Sequence, residues 1–154
     1  MRKKIDRYLG MFLVILMAIM TIDVLWGVFT RYALGSQASW TEELARFLLI
    51  WIGILGAAYA SGQHMHLAID LLSVKLNSTK QNRLLALIRI LIIAFAFFVL
   101  VIGGGRLLYL TQILGQTSPA LQIPMTLVYA VLPISGLLVI YYKMHDFFTV
   151  NTSI

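Results

Sequence analysis

Asp23 and Arg106 are charges set inside long apolar runs, and they are the residues whose placement asks most directly for a chemical explanation. A charge in hydrocarbon costs several kcal/mol unless it is paired or hydrated. Each therefore reaches water at an interface, forms an ion pair or protein contact, or serves a proton or ion pathway. A second charged group is Glu42, Glu43 and Arg46. Glu42 precedes Arg46 by four, the favourable order for a helical ion pair, although an exposed pair contributes only a fraction of a kcal/mol. Ser39 and Glu42 have the spacing of a capping box, and Trp40, Phe47 and Trp51 recur at helical spacing, as in an aromatic belt at a membrane interface. The three histidines suggest a metal or haem, but the pattern does not support either. His64 and His66 are two apart and diverge on a helix, His145 is remote, and there is no cysteine. No metal and no cofactor are expected. His66 and Asp70, four apart, can meet on one helical face. No G-x-S-x-G and no phosphate-binding glycine loop occurs. Gly103-Gly104-Gly105 lies within an apolar segment and reads as close packing or local flexibility. No catalytic residue is assigned, and the chain does not read as an enzyme.

The elements that must carry these residues are set by composition. Of 154 residues, 60% are hydrophobic and 12% charged, about half the charged share usual for a soluble domain. The mean hydropathy is +0.90. A soluble fold still exposes much of its area and needs a polar surface to do so. Six acids and twelve bases cannot supply one. Lipid must replace water over much of this surface. A spanning helix takes roughly 20 apolar residues, and 60% of 154, about 92, allows four spans and not six.

The expected fold is an all-α integral membrane protein, one four-helix domain over 1–154, with spans at about 8–32, 40–61, 82–114 and 125–143. The first run is too long for the apolar region of a signal peptide, and Arg31-Tyr32 after it reads as an interfacial anchor. In the second, Gly53, Gly56, Ala57 and Ala60 make a small-residue face where another helix can approach. His64 to Lys75 mixes charge with leucine and is too short to span. It fits a short interfacial helix between spans two and three. The third run exceeds the bilayer core and must tilt or protrude. Pro133 inside the fourth predicts a bend.

Charge sets the orientation. The N-terminus, middle loop and C-terminus share eight bases (Arg2, Lys3, Lys4, Arg7, Lys75, Lys80, Arg83, Lys143), and the opposite side has Arg31 and Arg46. The positive-inside rule then puts both termini in the cytoplasm and the loops around Trp40 and Pro119 outside. The net charge of +6 reflects this orientation rather than a nucleic-acid partner; membrane lipid is the expected surroundings.

Arg31-Tyr32, the run from Trp40 to Arg46 with Trp51, His66 to Leu72, and Ser118 to Pro124 with Tyr129 and Pro133 occur in that order over about residues 25 to 136. Together they resemble the small integral-membrane subunit of tripartite ATP-independent periplasmic (TRAP) transporters. The resemblance implies residence in the bacterial inner membrane and two protein partners. A periplasmic substrate-binding protein captures a small organic anion, of the carboxylate or sialic acid class, and a large multi-span subunit carries the substrate and sodium sites. The small subunit then acts as a scaffold for the large one. Carried over onto this sequence, the partner-interface residues are Arg31, Trp40, Glu43, Arg46, His66, Asp70 and Pro119. The first span is loosely matched and Arg106 falls in no matching motif, so the family's roles extend to neither Asp23 nor Arg106. Both fall at similar depth in spans running the same way, which makes them candidates for a pair with each other or for a shared approach to the large subunit.

Two other classes fit less well. A four-span proton-coupled exporter would use Asp23 as its acid, but the eight-to-two charge bias is strong for such a protein. A membrane anchor of a redox enzyme would need histidines at mid-depth of the spans, and none is there.

Overall fold

A computed structural model describes residues 2–36, 38–63 and 78–150. Helix α1 is Arg2–Ala33 and α2 is Ser39–Gly62. Helix α3, Ser78–Phe95, runs without a break through a π-helical segment, Ala96–Gly103, into α4, Gly104–Ile113. Helix α5, Met125–Tyr129, and α6, Val131–Val150, complete the described chain. These elements give four helices long and apolar enough to cross a membrane: Lys4–Ala33, Ser39–Gly62, Ala86–Ile113 and Met125–His145. The segment expected to form an interfacial helix, with His64, His66 and Asp70, lies outside the described residues.

Local chemistry explains where the helices stop. Gly35, at φ 74°, follows the end of α1 in the left-handed conformation that glycine adopts without steric cost. At the end of α4 the Gly115 N–H donates to the Gln112 carbonyl and the Gln116 N–H to the Thr111 carbonyl, both at 3.2 Å, with Gly115 at φ 57°. That pair of bonds is a Schellman motif, and it uses two carbonyls the helix leaves without partners. The start of α2 corrects the capping-box expectation. Its N-cap is Ala38, in extended conformation, and no side chain caps it. Ser39 is already the first helical residue. Thr41 instead turns back, donating its Oγ1 hydrogen to the Ala38 carbonyl at 2.7 Å.

Helices α2 and α6 form the centre, with α1 on one side and the third span on the other. One apolar cluster joins Leu9, Leu55, Val131 and Tyr142, and a second joins Ala58, Ala96 and Val139. The close approaches depend on glycine. A β-carbon on Gly104 would stand 2.8 Å from Leu132 Cβ and 3.1 Å from Pro133 Cδ; one on Gly136 would stand 2.8 Å from Leu100 Cβ. Each of the two helices thus presents a glycine to the other. The expected small-residue face of α2 behaves differently, because Gly53 and Gly56 face open space. The break in the fourth span falls at Ala130, before Pro133. Proline has no N–H for the carbonyl four residues back, which is that of Tyr129, so the helix is interrupted one turn upstream of the ring.

Within each span's apolar window only 6% to 33% of residues are buried inside the chain. The remaining faces must be covered by lipid or by another protein.

Candidate partner-contact site

The first polar feature of the site is a clamp. Glu43, half-buried on the second turn of α2, accepts through Oε2 from the backbone N–H groups of Ala120 at 2.9 Å and Leu121 at 2.8 Å. Those amides are free because the loop between α4 and α5 folds on itself. Thr117 and Pro124 form an antiparallel bridge, Ser118 N–H donates to the Ile123 carbonyl at 2.9 Å, and Gln122 N–H donates to the Ser118 carbonyl at 3.1 Å. Gln122 takes a positive φ of 53° to close the turn. Met125 N–H then donates to the Gln116 carbonyl at 2.9 Å, tying the loop's two ends together. This leaves two adjacent amides pointing at α2. An ionised carboxylate is a strong acceptor for them. Pro119 sits exposed at the tip. Two of the segments singled out in the sequence are thus joined by one carboxylate oxygen.

The second feature is a cleft of about 450 Å³ between α1 and α2, lined by Asp23, Gly27, Arg31, Thr41, Glu42 and Arg46 among others. Arg31, Glu42 and Arg46 are exposed there. No ion pair joins Glu42 to Arg46 among the described residues, so the spacing brings them onto one cleft wall without pairing them. Trp40 lies in an adjoining groove of about 380 Å³ with Ile19, Ile22, Trp26 and Leu44, and Asp23 lines that groove too. Asp23 is 4% exposed, and neither carboxylate oxygen has a hydrogen-bond partner. Arg106 is exposed on α4, which packs against α5, α6 and the π segment. Asp23 belongs to the α1–α2 side of the bundle. The structure therefore does not bring Asp23 and Arg106 together as a direct pair.

A third cluster, at the opposite end of the bundle, was not singled out from the sequence. Lys143 Nζ donates to the Ser61 carbonyl at 3.0 Å, Arg2 donates to the Gly62 carbonyl, and Tyr142 Oη donates to Asp6 Oδ1 at 2.7 Å. The Arg2 guanidinium also lies 5.8 Å from the centre of the Tyr142 ring. Cations at the last carbonyls of α2 suit the negative end of its dipole. The cluster ties the first and last spans to the end of the second. Its only sequence signals were Asp6 among the N-terminal bases and Lys143 directly after the fourth apolar run.

His66 and Asp70 lie outside the described residues. His145 is exposed, with its ring 6.4 Å from that of Tyr141. No group of three metal-ligating side chains occurs among the described residues. Glu43, Arg2, Asp6, Tyr142 and Lys143 organise the chain's own ends and loops.

Comparison with known proteins matches residues 19–151 to the family described as tripartite ATP-independent periplasmic transporters, DctQ component. A protein of Haemophilus influenzae named as a TRAP transporter small permease protein is 30% identical over 135 residues, covering 88% of this chain and 82% of that one. The C4-dicarboxylate TRAP transporter small permease protein of Rhodobacter capsulatus is 29% identical over 66% of this chain and 44% of its own length. The isethionate TRAP transporter permease protein DctMQ of Oleidesulfovibrio alaskensis is 34% identical over 66% of this chain, which spans only 16% of that longer protein. The chain belongs to the DctQ family of TRAP transporter small permease subunits, as a multi-pass component of the bacterial inner membrane and a transport subunit rather than an enzyme.

Proposed function

We propose that this chain is the scaffold subunit of a sodium-coupled, binding-protein-dependent transporter that takes up a small organic anion of the carboxylate or sialic acid class. Relatives carry the names of C4-dicarboxylate, sialic acid and isethionate systems, and the isethionate one is named as a DctMQ permease. Membership of the family supports two partners, a large membrane subunit and a periplasmic binding protein. Both termini face the cytoplasm, as the eight-to-two distribution of bases indicates.

The observation that carries the scaffold reading is the clamp from Glu43 to Ala120 and Leu121. This membrane-end carboxylate is used to hold the chain's own loop in one shape. The large exposed apolar faces of the spans are then available for a partner helix or lipid. A rigid loop and an uncovered flank suit a static support against which a transport domain moves. Arg31, Trp40, Arg46 and Pro119, at the same end of the bundle, are its partner-facing residues, together with His66 and Asp70.

Purification of the tagged chain from membranes in mild detergent tests this reading. The large multi-span subunit encoded with it should co-purify in near-stoichiometric amount. Recovery of the chain alone, as a self-associated species, would support the independent exporter instead.

A further inference from the structure

Asp23 is a buried carboxylate whose two oxygens have no hydrogen-bond partner within the chain. It lies ten residues before the end of α1 at Ala33, a depth of roughly 15 Å along a helix. A charge at that depth without a partner is costly. The two hollows beside it offer different environments. The larger cleft carries Arg31 and Arg46 with one acid besides Asp23, Glu42, so cations already outnumber the remaining acid there. The adjoining groove, lined by Ile19, Ile22, Asp23, Trp26, Trp40 and Leu44, contains no charge other than Asp23.

We infer that this groove seats a lysine or arginine side chain carried by a spanning helix of the large transport subunit, with Asp23 as its counter-charge. The inference rests on the scaffold reading, and it names the contact that holds the two subunits together. The groove matches that occupant in each part. Ile19, Ile22 and Leu44 cover an aliphatic stem, as amphipathic cations require. The Trp26 and Trp40 rings flank the path, and a cation is attracted to an indole face. Ile22 and Trp26 are 68% and 49% exposed, so the groove opens onto the outer flank of α1. Asp23 reaches the cation by turning its side chain toward the groove, a rotamer step. A lipid headgroup stays at the interface and does not descend to this depth, and among the described residues no cluster of ligands would hold a metal ion there.

The test is co-purification of the large subunit with the tagged full chain. Asp23→Asn should reduce recovery by about tenfold or more, because the partner's buried cation is left without a counter-charge. Asp23→Lys should abolish recovery, and one Lys→Glu or Arg→Glu change in a span of the large subunit should restore it. The isolated Asp23→Asn chain should melt in detergent no lower than wild type, since the change removes an unpartnered charge while keeping the shape. Ile22→Trp, on the exposed rim, should block the groove and lower recovery with Asp23 intact, which gives a second readout if Asp23 variants fail to fold. Undiminished recovery with both Asp23→Asn and Ile22→Trp would overturn the inference, as would rescue of Asp23→Lys by Arg31→Glu or Arg46→Glu within this chain. If the wild-type chain recovers no large subunit, the scaffold reading itself fails. If it does and the variants match it, only this inference fails.

Discussion

The ring of Tyr142 lies against Gly62 so closely that a β-carbon on the glycine would stand 2.9 Å from two ring carbons. This contact brings the end of α2 under the last span and sets Tyr142 Oη on Asp6 and Lys143 on the Ser61 carbonyl. Gly62→Ala should therefore lower thermal stability in detergent by about 1–3 kcal/mol, the usual cost of overpacking. Tyr142→Phe, which keeps the ring and loses only the bond to Asp6, should cost about 1 kcal/mol. Differential scanning fluorimetry of the purified protein reads both. Equal stability of Gly62→Ala and wild type would mean that the ring has room to move away.

Of the three consecutive glycines in the third span, only Gly104 faces the neighbouring helix at close range. Gly104→Ala meets Leu132 and Pro133, whereas Gly105→Ala meets nothing within 4 Å and Gly103→Ala meets only the Phe98 carbonyl at 3.6 Å. Gly104→Ala should lower the melting temperature by several degrees, corresponding to about 1–3 kcal/mol. Gly105→Ala should leave it unchanged or raise it slightly, since alanine favours helix over glycine by up to about 1 kcal/mol. Similar losses from Gly104→Ala and Gly105→Ala would point to glycine as a source of flexibility instead of close packing.

Loss of the carboxylate at Glu43 should free the loop it holds. Hydrogen bonds to a charged group contribute about 1.5–3 kcal/mol. Glu43→Gln should keep one acceptor oxygen and lose part of that, and Glu43→Ala should lose all of it. Protease accessibility around Ala120 should rise in the order wild type, Glu43→Gln, Glu43→Ala, with transport falling in the same order. Gln112→Ala, at an exposed position on α4, is the control. Unchanged cleavage in Glu43→Ala would show that the loop holds its shape through Thr117, Ser118 and Gln122 alone.

The four spans were legible in the sequence because lipid imposes length and apolarity on every helix that crosses it. Pro133 was legible because proline acts on its own backbone, and the glycine triplet because small residues in an apolar span let another helix approach, although only Gly104 does so. The contacts that organise the polar ends were not. Glu43 meets amides 77 and 78 residues away, and Asp6 meets a tyrosine 136 residues away. Nothing in the local pattern of either residue specifies such a partner. The capping box failed by one position, because the chain leaves its extended conformation at Ala38 and so turns Ser39 into a helical residue. Asp23 and Arg106 share a depth in the sequence but belong to opposite sides of the central pair of helices, and depth alone does not give azimuth. The family resemblance drew on segments whose relation the structure explains in part, through the bond from the Trp40–Arg46 run to the loop at Pro119.

Sodium-driven uptake in liposomes tests the scaffold role most directly. Three preparations should be compared in the presence of the periplasmic binding protein and its anion: this chain alone, the large subunit alone, and the two together. Substrate accumulation is expected only when both membrane subunits are present, with neither this chain alone nor the large subunit alone rising above empty liposomes. Accumulation by this chain alone would contradict the account, and full uptake by the large subunit without it would show that no scaffold is required.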